Sequence, residues 1–169
     1  MRRLILLRHA KAIRSPGEED FDRPLAAQGI ADAGIMGRVL AQAGLLPDRA
    51  LVSGALRTRQ TWEEIAPSFP GAKAQVRRDL YLAEVDGLWA AVEGAGEEVD
   101  TLMVVAHNPG IHALASALLR RNGAPPSTVA KVERGFPTCT AAVFAIDEAG
   151  RAAYDGLYLV AEHGGAGTE

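Results

Sequence analysis

Three short apolar runs in this chain each end on side chains able to handle an oxyanion. Leu4-Ile5-Leu6-Leu7 is followed by Arg8-His9, Ala50-Leu51-Val52 by Ser53 and then Arg57, and Thr101-Leu102-Met103-Val104-Val105-Ala106 by His107-Asn108. A guanidinium beside an imidazole binds an anionic oxygen, and the imidazole can attack or protonate what is held there. Any one pair is equally a polar residue at a strand edge with no role. Together they form a pattern, because runs of this kind read as strands buried on both faces of a parallel-type sheet. The carboxyl ends of such strands open on one crevice. Two of the three also lead into helices, whose free N–H groups and dipole favour an anion. Two arginines, two histidines and two helix N-termini converging there suit a phosphoryl group, whose charge is spread over oxygens that need fixed donors.

The elements that must position these groups follow from the rest of the pattern. The first strand covers about residues 3–8, and residues 11–22 form a surface loop with Ser15-Pro16-Gly17 and the acidic Glu18, Glu19 and Asp20. A helix over about 26–43 carries an inner stripe of Ile30, Ala33, Gly37 and Leu40. Ser53 is placed to cap the next helix, which presents Thr58, Trp62 and Ile65 on one face. Residues 74–76 suit a short edge strand, and 87–94 a helix with Leu88, Ala91 and Val92 inward. Asn108 suits an N-cap and Pro109 the first helical position of a helix lined by Ile111, Leu114, Ala115 and Leu118. Two strand-like runs, about 140–146 and 153–160, close the chain around a Glu148-Ala149-Gly150 turn. Four βα units and a hairpin predict an α/β protein, a three-layer α/β/α sandwich with a mostly parallel central sheet. No linker divides it, so one domain over 1–162 is expected, with 163–169 as a flexible C-terminal tail.

Composition narrows the function. A chain of 169 residues, 48% apolar and 23% charged, is globular and large enough for one core. A formal net charge of −3 argues against a nucleic-acid partner, which wants a basic face. Any phosphate must therefore meet a local basic cluster. The single cysteine, Cys139, builds neither a disulfide framework nor a cysteine metal site, and suits the reducing cytoplasm. His107 and His112 lie five apart and diverge by roughly 140° on a helix, so they do not form a zinc pair. No targeting or membrane segment is read, and no nucleotide-binding glycine loop occurs. Lys11, Arg14 and Arg59 read as solvated cations, His112 as a solvated helix residue, and Cys139 as a small buried side chain.

Four stretches in order carry a resemblance. Leu7-Arg8-His9-Ala10, Ser53-Gly54-Ala55-Leu56-Arg57-Thr58-Arg59-Gln60-Thr61 and Val105-Ala106-His107-Asn108-Pro109 resemble the signature stretches of the histidine phosphatase (phosphoglycerate mutase-like) superfamily. The Arg8-His9-Ala10-Lys11-Ala12 start and Asp20-Phe21-Asp22-Arg23-Pro24-Leu25 resemble its SixA-type branch, the phosphohistidine phosphatases. Ala10 stands where the superfamily often has glycine. The resemblance implies a phosphoglycerate mutase-like fold and a metal-independent phosphatase with no cofactor. In it His9 would accept the phosphoryl group and Arg8, Arg57 and His107 would hold its oxygens. Arg23 would assist, Asp20 would orient Arg23 or His9, and Asn108 would add a backbone N–H. Glu84 lies in about the stretch that supplies a general acid in mutase-like members. A phosphohistidine releases imidazole, a far weaker base than an alkoxide, so a site lacking a dedicated acid suits P–N better than ester substrates. The expected partner is thus a phosphorylated protein bearing phosphohistidine, or else a small phosphorylated substrate. The alternatives are a small-molecule phosphomonoesterase or mutase with Glu84 as acid, and a binding module that does not turn its phospho-ligand over.

Overall fold

The computed structural model describes residues 1–14, 16–17, 19–96, 98–121 and 123–168. The chain runs β1 (Arg3–Arg8), α1 (Ala27–Gln42), β2 (Arg49–Ser53), α2 (Leu56–Ile65), β3 (Lys73–Arg77), α3 (Val85–Glu93), β4 (Thr101–Ala106), α4 (Gly110–Arg121), α5 (Pro126–Arg134), β5 (Thr140–Ile146) and β6 (Ala152–Leu159). A 3-10 turn at Asp20–Asp22 interrupts the loop after β1. The six strands form one sheet in the order β3-β2-β4-β1-β5-β6. β1, β2, β3 and β4 are parallel, β5 runs antiparallel to β1, and β6 antiparallel to β5.

The apolar runs are continuous because both faces of the sheet are covered. Leu4 and Leu6 of β1 join Leu51, Leu102 and Val104 in a core closed by α3 and α4. Ile5 and Leu7 point the other way, with Val52, Met103 and Val105, into a core closed by α1 and α2. Register then sets the height at which polar residues leave the sheet. Arg8 lies level with Ala106, and Val52 with Val105. His9, Ser53 and His107 therefore emerge within about one residue of each other at the carboxyl edge. Among the described residues, no helix is long and apolar enough to cross a membrane.

Several local expectations need correction. Ile30 is 44% exposed, and the buried arc of α1 centres instead on Ala33, Met36 and Leu40, beside a fully buried Asp32. The Asp32 carboxylate accepts the Gln28 side-chain amide and the backbone N–H groups of Ala166 and Gly167 at 2.7, 3.0 and 3.1 Å. Thr168 is likewise held, exchanging hydrogen bonds with Thr138. The segment expected as a flexible tail is thus tied down over 166–168, by a buried carboxylate whose role periodicity cannot reveal. α5 adds a helix to the expected elements, and its Pro126 stands in the first turn, where proline is tolerated. Pro109 lies one residue before α4 rather than inside it, and the Asn108 side chain bonds to the Phe136 carbonyl instead of capping.

Candidate active site

The three strand ends meet as expected. His9 follows β1, with its N–H donating to the Ala106 carbonyl at 3.1 Å. Its Nδ1 lies 2.7 Å from the Ala10 carbonyl oxygen. A carbonyl only accepts, so Nδ1 carries the ring proton and Nε2 keeps its lone pair. That lone pair accepts from Arg57 Nε at 3.3 Å. The Ala10 N–H donates to Thr61 Oγ1 at 3.0 Å, which ties the turn after His9 to α2.

Arg57 enters from the first turn of α2 and is only 3% exposed. Its Nη1 donates to the Asp20 carbonyl at 2.6 Å and its Nη2 to Asp20 Oδ2 at 3.0 Å. Asp20 also accepts Arg23 Nη1 at 2.8 Å and the Tyr81 hydroxyl at 2.7 Å. Partial burial pushes the Asp20 carboxyl up, but Tyr81, Arg23 and Arg57 outweigh it and hold it well below the usual carboxylate range. Arg8 Nη1 donates to the Phe136 carbonyl at 2.7 Å, the acceptor it shares with Asn108 Nδ2 at 3.1 Å.

His107 opens the loop after β4. Its ring centroid lies 5.2 Å from that of His9, tilted by 57°, and Tyr81 packs edge-on against it at 5.6 Å. Ser53 does not cap α2, whose N-cap is Ala55 with no side-chain bond. Its Oγ instead lies 2.7 Å from His107 Nε2. With the Ser53 hydroxyl donating, Nε2 is the acceptor and Nδ1 carries the proton. Nδ1 is buried without a protein partner, the arrangement expected of a donor kept for a ligand. Burial, then the charge of Arg57, lowers His107 to about 3. Burial chiefly, with the charges of His107, Arg57 and Arg8, takes His9 well below 6.5 despite the opposing Ala10 bond. Both imidazoles are neutral at neutral pH.

His9, Arg8, Arg57, His107, Arg23, Asp20 and Asn108 line one cleft of about 780 Å³. Lys11 and Arg14 also line it, so the acidic chain concentrates cations at this one place. Glu84 is not brought to the cleft: it is exposed, at the N-cap of α3. Among the described residues lining the cleft, Asp20 is the sole carboxylate. No group of three His, Cys, Asp or Glu side chains among the described residues is placed to hold a metal ion. Cys139 is buried, and burial, then Asp32, pushes its thiol far above the range of a nucleophile. His112 is not solvated as expected; its Nε2 lies 2.6 Å from the Val132 carbonyl and its ring stacks on Phe136. Three contributors escape sequence reasoning: Tyr81, Phe136 through its carbonyl, and Ser53 as partner of His107. Tyr81 stands alone after an edge strand, and a backbone carbonyl leaves no mark in a sequence.

The comparisons with known proteins agree with this geometry. The solved structure of a candidate phosphohistidine phosphatase SixA from Agrobacterium tumefaciens superposes with a TM-score of 0.81 at 32% identity, over 94% of this chain and 97% of that one. The chain belongs to the SixA-type branch of the histidine phosphatase superfamily. It is a hydrolase of the phosphatase class, with the phosphoglycerate mutase-like fold. A second SixA candidate, from Nakamurella multipartitia, gives a TM-score of 0.80 at 30% identity over 94% and 95% of the two chains. An uncharacterised protein of Mycobacterium tuberculosis is 35% identical over 140 residues, 83% of this chain and 87% of its own length. No protein-family model matches this SixA-type chain.

Proposed function

We propose that this SixA-type phosphatase removes the phosphoryl group from protein phosphohistidine through a covalent phosphohistidine on His9, without a metal. His9 Nε2, unprotonated with the ring proton on Nδ1, gives up the long bond from Arg57 Nε and attacks phosphorus, and that guanidinium turns to the phosphoryl oxygens. The P–N bond of the substrate breaks, and its electron pair goes to the departing imidazole, which leaves neutral when its other nitrogen carries a proton. Arg8, Arg57, Arg23 and His107 Nδ1–H donate to the phosphoryl oxygens throughout, and Asn108 adds its backbone N–H. Water then attacks phosphorus, phosphate departs, and Nε2 regains its lone pair.

One observation carries the choice of a P–N substrate. Among the described residues lining the cleft the sole carboxylate, Asp20, is held ionised by Tyr81, Arg23 and Arg57, so it has no proton to give an alkoxide. An ester leaving group needs that proton far more than an imidazole does. Asp20 instead orients the two guanidiniums. The test is a substrate panel on wild type and His9→Ala: a phosphohistidine carrier protein, free phosphohistidine and several phosphate esters. We expect kcat/KM to favour the N-phosphoryl substrates, with all turnover lost in His9→Ala. Esters cleaved far faster than phosphohistidine would overturn the reading.

A further inference from the structure

Ile13 and Leu82 stand at the mouth of the cleft, lining it together with His9 and Arg57. Neither has chemistry for a phosphoryl group, a dianion that gains nothing from a butyl side chain. Yet they are 42% and 52% exposed. Lone exposed aliphatics are ordinary. These two differ in how they are held. The Ile13 N–H donates to the Pro24 carbonyl at 2.8 Å, and its own carbonyl accepts Arg23 Nε at 2.8 Å. A fixed backbone therefore turns the side chain outward. Leu82 has φ 51°, in the left-handed region that disfavours any residue with a Cβ. Glycine or asparagine would sit there more easily, and an exposed leucine gains little packing to offset the strain. Strain held beside a reactive cleft points to a task there. Lys11 and Arg14 flank Ile13 in sequence and line the same mouth.

We infer that Ile13 and Leu82, with Lys11 and Arg14, form a docking collar for the polypeptide that carries the phosphorylated histidine. The matching surface has an apolar patch beside acidic groups. A phosphorylated small molecule has no such surface to offer. The inference rests on the phosphohistidine reading above and adds to it the means by which a protein is told from a free ligand.

The test compares wild type with Ile13→Ser, Leu82→Asn and the double variant. Each is assayed on a phosphohistidine carrier protein, free phosphohistidine and an alkyl phosphate ester. In the double variant kcat/KM for the carrier protein should fall at least about tenfold, chiefly through KM. Free phosphohistidine should change by less than about twofold, since the reacting groups are untouched. Leu82→Asn relieves the left-handed strain, so its thermal midpoint should not fall, which separates lost docking from lost folding. Equal losses on the carrier protein and free phosphohistidine, or none on either, would overturn the collar while leaving the phosphohistidine reading intact. A loss confined to the alkyl ester would also overturn it, assigning the patch to a small apolar ligand. A wild type that cleaves no N-phosphoryl substrate would overturn the phosphohistidine reading, and the collar with it.

Discussion

Both imidazoles of the cleft are uncharged at neutral pH, and burial is the larger cause for each, ahead of the neighbouring arginines. If His9 is the nucleophile, its free-enzyme pKa sets the acid limb of kcat/KM, because protonation fills the attacking lone pair. Since that pKa lies below 6.5, we expect kcat/KM for free phosphohistidine to show no loss assignable to the enzyme between pH 8 and pH 6.5. A titration from the enzyme above pH 7 would contradict it. Ser53→Ala removes the hydroxyl that fixes the His107 tautomer and leaves Nε2 buried without its partner. The expected cost is about 1–3 kcal/mol of stability, read from the denaturant midpoint. The His107 ring-nitrogen chemical shifts should move with it, a signature that simple loosening would not give. Glu84→Gln should change kcat/KM by less than about twofold on esters and phosphohistidine alike, because this carboxylate is exposed and is not among the residues lining the cleft. Much of this was legible from residue types. Arg8, His9, Arg57 and His107 announce themselves by standing at or just beyond the ends of apolar runs. Glu84 is exposed at the start of α3, whereas from the same stretch Leu82 lines the cleft and Tyr81 reaches Asp20. Tyr81 donates to Asp20 through space, and such a bond has no sequence period.

At the scale of elements, the site depends on how closely helices approach the loops that carry polar groups. A Cβ built on Gly110, the first residue of α4, would lie 1.9 Å from the Ala83 carbonyl oxygen. This contact lets α4 begin directly against the 81–84 segment, and so sets Tyr81 against His107. Gly110→Ala cannot be absorbed by a side-chain rotation, since the clash is with backbone. We expect a loss of about 1–3 kcal/mol in urea unfolding, and a drop in kcat larger than the stability change alone would bring. Unchanged stability would mean that the approach is looser than described. The strands of this frame were the most legible elements. β1, β2 and β4 are bounded apolar runs, and their alternation between two cores follows from the period of two along a strand. Helix phase was less legible. The arc of α1 that faces inward is shifted by Asp32, a residue that composition assigns to solvent and that is buried because it binds backbone from 166–167. α5 contributes only Val132 to the buried set, too little apolar signal to betray a helix.

For the whole molecule, the same two histidines tie stability to pH. A group whose folded pKa lies below its unfolded value binds fewer protons when folded, so acid favours unfolding. His9 and His107 both fall in this class. Their contribution is fully present above the ordinary histidine value of 6.5 and is lost as pH falls from there toward about 3 for His107. The urea midpoint should therefore decline between pH 7 and pH 4.5, and decline less in His107→Gln. A decline of equal size in that variant would assign the acid sensitivity to other groups. Charge is also organised at this scale: a chain of formal net charge −3 places Arg8, Lys11, Arg14, Arg23 and Arg57 around one cleft. Composition alone demanded some such cluster for a phosphoryl ligand but did not place it; the parallel strand register does.

The covalent route through His9 is tested most directly by rapid quench with a phosphohistidine carrier protein labelled in its phosphoryl group. Label should pass to the enzyme within the first turnover, on His9, in a bond stable to alkali and labile to acid, and none should appear on His9→Ala. Phosphate released by wild type with no label ever bound to His9 would contradict it.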